Sequence, residues 1–222
     1  MNVLVIAAHP DDETLGCGGV LLKHKAAGDS LYWLVATQAH EPQWSAETIE
    51  LKAAEVTEVA QAYGMKHCFK LGFLAGCLDT LPVADLMQSI HQVIKEVLPE
   101  TIYLVNGGDV HTDHNSVFIA AMSVLKPFYM SSLGVKKVIC YETLSSTEAG
   151  PYKTNGAFTP NIFSDITPYM DRKIAILEIY RTEAQPDPMP RGLSALRALA
   201  RFRGATISVD YAESFMLVRE LA

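Results

Sequence analysis

A chain of 222 residues is long enough for one large domain with a substantial core, and 49% hydrophobic against 19% charged residues excludes a disordered chain. The net charge of -7 argues against non-specific binding of nucleic acid. No apolar stretch approaches the roughly 20 residues that span a bilayer, and Met1-Asn2 lacks the basic region of a signal peptide, so a cytoplasmic location is expected.

The first predicted strand covers residues 2–8, a short β-branched run without helical period. Ala8-His9-Pro10-Asp11-Asp12-Glu13 follows at its exit. Pro10 cannot continue a strand, and a helical pattern starts near Thr14. One imidazole and three carboxylates are thus crowded where open α/β sheets bind ligands, outside the carboxyl ends of strands. Adjacent acids repel unless something positive sits among them, and a divalent cation answers that need. A charged helix cap accounts for Asp12 and Glu13, but not for His and Pro directly before two Asp.

The helix over 14–27 contains Gly16, Gly18 and Gly19, poor helix formers that suit close packing against the strand. A dinucleotide fingerprint is the other reading, but Leu21 stands where its third Gly belongs, beside acids that repel phosphate. A strand over 31–37 leads to a loop with His40 and Trp44, then a long helix over 45–63. A strand over 66–70, a Gly-rich loop over 71–81 and a helix over 83–98 come next. The fourth strand, 102–105, opens on Asn106-Gly107-Gly108-Asp109 and a second motif, His111-Thr112-Asp113-His114, before a helix over 114–125. The fifth strand is 138–141. Alternating strands and helices predict one α/β domain over 1–222, with a Rossmann-like, doubly wound, mostly parallel sheet of order 3-2-1-4-5.

Residues 143–167 read as an ordered substrate loop with aromatics at Tyr152, Phe158 and Phe163. A helix over 168–181, a rigid Pro-rich linker over 186–190, a basic helix over 192–203 and a strand near 214–218 complete the chain. Cys17, Cys68, Cys77 and Cys140 form no Cys-x-x-Cys pair and read as reduced thiols. His24, His67 and His91 read as surface residues.

In the 3-2-1-4-5 order, strands one and four are neighbours where the order reverses, so the two motifs flank one crevice. Catalytic zinc sites use three protein ligands and keep a place for water. His9, Asp12 and His114 are the expected ligands, for Zn2+ or, with the same donors, Fe2+, Co2+ or Mn2+. Asp11 is left as general base. His111, oriented by Asp113, is left as a charged helper for an oxyanion. Glu13 can cap the helix, hold a ligand or contact substrate. With His40, Tyr152 and Arg197 it completes the candidate substrate contacts. There is no G-x-S-x-G elbow, Walker loop or His-Glu-x-x-His.

On these motifs the chain resembles the PIG-L/LmbE family of zinc-dependent N-deacetylases. Ala-His-Pro-Asp-Asp-Glu stands at 8–13 and His-x-Asp-His at 111–114. Phe158-Thr159-Pro160-Asn161, Asp165-Ile166, Lys173 and Tyr211-Ala212-Glu213-Ser214-Phe215 resemble late family segments. Lys52-Ala53-Ala54-Glu55 stands where the family often has Arg-x-x-Glu, and Lys52 is a departure. The resemblance implies the same ligands, Asp11 as base, and His111 as charged stabiliser oriented by Asp113. It also implies a homo-oligomer, trimeric or hexameric. The expected reaction removes acetyl from a small N-acetylated amino sugar, a glycan or nucleotide-sugar precursor. A thiol-cofactor precursor of the N-acetylglucosaminyl malate type, another acylated small molecule, and a non-catalytic metal- or sugar-binding module are the alternatives.

Overall fold

Val3, Leu4, Val5 and Ile6 are completely buried in β1 (Asn2–Ala7), as an apolar strand must be when helices cover both faces of its sheet. The computed structural model describes residues 1–150 and 157–222. β1 pairs in parallel with β2 (Ser30–Gln38) on one side and β4 (Thr101–Val105) on the other. β3 (His67–Leu74) and β5 (Lys137–Tyr141) extend the parallel array outward. Beyond β5 lie β7 (Ala212–Glu220) and β6 (Ile162–Asp165), joined in antiparallel pairs. The order β3-β2-β1-β4-β5-β7-β6 therefore contains the expected 3-2-1-4-5 and adds two strands at one edge. β6 escapes a periodicity reading because its four residues are only half-buried and lie in a polar stretch.

The helices are α1 (Asp12–Ala26), α2 (Ala46–Tyr63), α3 (Val83–Val97), α4 (Thr112–Val124), the short α5 (Pro127–Met130), α6 (Met170–Leu177) and α7 (Leu193–Ala205). α3 packs on α4, α1 on α2 and α6, and α7 on β7. The helix expected over 168–181 is shorter, a 3-10 turn at Thr167–Tyr169 followed by α6. Of the histidines read as surface residues, His24 is half-buried, with Nδ1 2.8 Å from Asp29 and Nε2 3.0 Å from the Tyr103 hydroxyl. Among the described residues, no single helix is long and apolar enough to cross a membrane.

α1 breaks at Cys17, whose φ of -137° is not helical. The glycines around the break serve close packing. A Cβ on Gly16 would lie 2.1 Å from the Tyr141 ring, and one on Gly19 2.8 Å from Ile166. Gly16, at the end of the turn that carries the acids of the first motif, thus lies against Tyr141 of β5.

Candidate metal centre

β1 and β4 are neighbours where the sheet order reverses, so the exit of β1 meets the start of α4. Asp12 opens α1 and folds back on the strand exit: Oδ2 accepts from the main-chain N–H of Ala8 at 3.0 Å and of His9 at 2.8 Å. Its Oδ1 then lies 3.3 Å from His114 Nε2, and His9 Nδ1 lies 3.8 Å from Oδ2. The far nitrogen of each imidazole is held by a carboxylate. His9 Nε2 is 2.9 Å from Asp113 Oδ2, and His114 Nδ1 is 2.8 Å from Asp109 Oδ2. Asp109 is itself held by Asn106 Nδ2 at 2.9 Å. Carboxylate backing of this kind fixes ring orientation and raises the basicity of the inward nitrogen, as in metal-binding histidines.

Charge follows the same geometry. Burial by itself would raise Asp12, yet the charge and hydrogen bond of His114, then His9, hold its carboxyl well below the usual range. Burial by itself would lower His114, yet Asp12 and the hydrogen bond to Asp109 push it up to about 10. The pair thus keeps a proton that a bound cation would displace.

His111 caps α4: its Nδ1 accepts the main-chain N–H of Asp113 at 3.2 Å. An accepting Nδ1 places the ring proton on Nε2. The ring stacks on His114, with centroids 5.1 Å apart and planes 18° from parallel. Burial, then His9 and His114, lower its pKa. The hydrogen bonds of the Asp113 carboxylate go elsewhere. From the second residue of α4 that carboxylate reaches across to His9 and to the N–H groups of Gly76 at 2.6 Å and Leu78 at 3.0 Å. The hydrogen bond between these two residues is made by the Asp113 main chain.

His9, His111 and His114 each offer a ligand atom within 4.8 Å of the others, and this group can hold a metal ion. His9, Asp12 and His114 form a second donor set. A small tetrahedral cation with bonds of about 2.0–2.1 Å needs donors roughly 3.3 Å apart, and Asp12 and His114 meet that spacing.

Asp11 stands just before α1 with φ 109°, a conformation rare and strained for any residue but Gly. Its carboxylate turns into a cavity of about 460 Å³ together with His9, Asp12, His111 and His114. Burial first, then Asp12 and Glu183, raise its pKa well above the usual range, while Arg191 opposes them. Arg191 Nη1 bridges Asp11 Oδ2 at 3.2 Å and Glu183 Oε2 at 3.1 Å.

The expected substrate contacts fare differently. Glu13 is wholly buried and faces the interior, where Thr14 Oγ1 and the Tyr180 hydroxyl donate to its Oε1 at 2.5 and 2.8 Å. A carboxylate sealed below the first turn of α1 cannot touch substrate; burial raises it to about 7. His40 does not line the cavity, and its Nε2 lies 3.1 Å from the Gly72 carbonyl. Arg197 projects outward and pairs with Asp171 at 2.8 Å. Tyr152 lies outside the described residues.

The basic cluster divides as well. Arg201 pairs with Asp210 and Arg203 with Glu142, while Arg191 alone enters the cavity. Arg191 and Glu183 carry no motif; Arg191 lies 180 residues beyond Asp11 and reaches it only through the fold. Asp109 had a weak signal, an acid in the loop before the second motif.

The model of the PIG-L family, GlcNAc-PI de-N-acetylase, matches residues 4–125, which carry both motifs. The uncharacterized deacetylase YaiS of Escherichia coli K12 is 25% identical over 187 residues, covering 82% of this chain and 91% of that one. A probable N-acetyl-α-D-glucosaminyl L-malate deacetylase 2 of Bacillus cereus is 24% identical over 195 residues, covering 83% of this chain and 84% of that one. The crystal structure of the conserved protein TT1542 from Thermus thermophilus superposes with a TM-score of 0.77 at 26% identity, over 99% of this chain and 96% of that one. With more than half of its length matched by the family model and both motifs within that match, the chain belongs to the PIG-L family.

Proposed function

We propose that the protein is a zinc-dependent hydrolase that removes acetyl from an N-acetylated amino sugar. The observation that carries the reading is the meeting, in one cavity, of a buried Asp11 carboxylate with two carboxylate-backed imidazoles and Asp12. Membership of the PIG-L family supports the amino-sugar substrate.

His9, Asp12 and His114 would hold the cation. His111 is left out of that set because its Nδ1 is used as a helix cap and its Nε2 carries the proton. When bound, the cation supplies Lewis-acid polarisation of the amide carbonyl and lowers the pKa of water. Asp11 takes the proton of the attacking water; a desolvated carboxylate is a stronger base than a solvated one. His111 donates its Nε2–H to the oxygen that gains charge, and a neutral donor serves for this. The proton held by Asp11 passes to the departing amine, which leaves acetate and the free amino sugar. Asp109 and Asp113 hold His114 and His9 in place.

The test is acetate release from a panel of N-acetylglucosaminides: free, nucleotide-linked and malate-linked. Zinc-loaded protein should release acetate, and chelator-stripped protein should release none until zinc is restored. A zinc-loaded protein that releases no acetate across the panel would overturn the reading.

A further inference from the structure

One part of the cavity wall is built by Lys52, Glu183 and Arg191, of which Glu183 and Arg191 belong to no motif. Glu183 uses both carboxylate oxygens on cations of this wall, Oε1 on Lys52 Nζ and Oε2 on Arg191 Nη1 at 3.1 Å. All three side chains line the cavity. The arrangement is anchored from behind. Lys52 and Glu55 lie on one face of α2, and Glu55, 1% exposed, accepts from the N–H of Thr182 at 3.1 Å and from its hydroxyl at 2.6 Å. Lys52 also reaches Thr182 Oγ1 at 3.3 Å. Arg191 is held by reciprocal bonds with Gln185, each 3.2 Å. Glu183 is therefore placed as an internal counter-ion to Lys52 Nζ and Arg191 Nη1.

The wall lies close to the reacting group, because Arg191 Nη1 is also 3.2 Å from Asp11. Lys70 is the remaining lysine of the cavity lining; it is exposed on β3, and an exposed lysine attracts an anion only weakly.

We propose that Glu183 is a specificity-determining residue that directs the site to neutral N-acetyl amino sugars and against those bearing a carboxylate or phosphate beside the reacting sugar. This rests on the deacetylase reading and narrows it to the glycan class. A substrate anion at this wall must displace Glu183 or face its charge, and like-charge contact is what rejects a wrong partner.

The experiment compares kcat/KM for methyl N-acetylglucosaminide, N-acetylglucosamine 1-phosphate and the malate glycoside, in wild type, Glu183→Gln and Glu183→Gln with Lys52→Gln. Zinc-loaded protein is used throughout. Wild type should favour the methyl glycoside over both anions by roughly tenfold. Within Glu183→Gln that ratio should fall to one or below, through a lower KM for the anions, and adding Lys52→Gln should restore it. Wild-type preference for either anion, or a ratio unchanged in a folded Glu183→Gln, would overturn the assignment while leaving the deacetylase reading intact. The wild-type ratio alone decides if the variant does not fold. Absence of acetate from all three substrates in wild type would overturn both.

Discussion

Lys173 Nζ lies 2.7 Å from Glu213 Oε1, and the two together replace a hydrogen bond that α1 lacks. In an unbroken helix the N–H of Gly19 would donate to the carbonyl of Leu15. Here Leu15 O accepts from Lys173 Nζ at 3.0 Å, and Gly19 N donates to Glu213 at 2.7 Å, with Val20 N on the other oxygen at 2.8 Å. The pair is buried, with Lys173 1% and Glu213 4% exposed. It completes the backbone pairing at the Cys17 break, which sets the first turn of α1 and with it Asp11 and Asp12.

Removing one member leaves a buried charge without its partner. Glu213→Gln or Lys173→Met should each destabilise the protein by about 3–5 kcal/mol. The double variant should cost less than the sum, and urea denaturation of all four proteins measures the coupling. Arg197→Ala, which breaks only the exposed pair with Asp171, should stay within about 0.5 kcal/mol of wild type.

Asp11 and His111 should separate metal binding from turnover. Asp11→Asn should retain one bound zinc per chain and lose about 10²–10⁴-fold in kcat. His111→Ala should lose about 10²–10³-fold and also keep its metal. Metal analysis alongside acetate release checks both; loss of the metal in His111→Ala would put His111 among the ligands.

Asp109 and Asp113 should act on the metal through the imidazoles they hold. Asp109→Asn and Asp113→Asn should each weaken zinc affinity by about 10–100-fold, read by competition with a chelator. His40→Ala, which does not line the cavity, should leave that affinity unchanged.

Metal-free protein should lose stability as pH rises. His114 is raised from 6.5 to about 10 in the fold, so its contribution is complete below about 6.5 and disappears by about pH 10. Glu13, raised from 4.5 to about 7, acts in the same direction over its lower window. His111, lowered by burial, opposes this below about pH 6.5, so melting temperature in chelator should fall chiefly between about pH 6.5 and 10. With zinc in place of the His114 proton the upper part of that fall should flatten, and metal uptake at pH 7.5 should release protons, measurable by calorimetry in buffers of differing ionisation enthalpy.

Much of this was legible in the chain. Apolar β-branched runs and alternating helices determined the five parallel strands, because a strand buried on both faces must be apolar throughout. The two motifs sit at the exits of β1 and β4, so the neighbouring positions of those strands were enough to bring His9, Asp12, His111 and His114 together. Local chemistry also determined the Asp12 geometry, since its bonds to Ala8 and His9 span only three or four residues.

Only the tertiary structure decided the rest, because it depends on which distant groups meet and on what is removed from water. Glu13 carries the same charge as Asp11 in the sequence, yet one is sealed beneath the first turn of α1 and the other opens to the cavity. Burial beside two imidazoles lowers the pKa of His111, a shift no local pattern encodes. Asp113 reads as the partner of His111, its neighbour, until packing carries its carboxylate to His9, 104 residues away. Arg191 and Glu183 have no local pattern at all, because an ion pair across a cavity depends on the positions of α2, the turn after α6 and the start of α7, not on spacing along the chain.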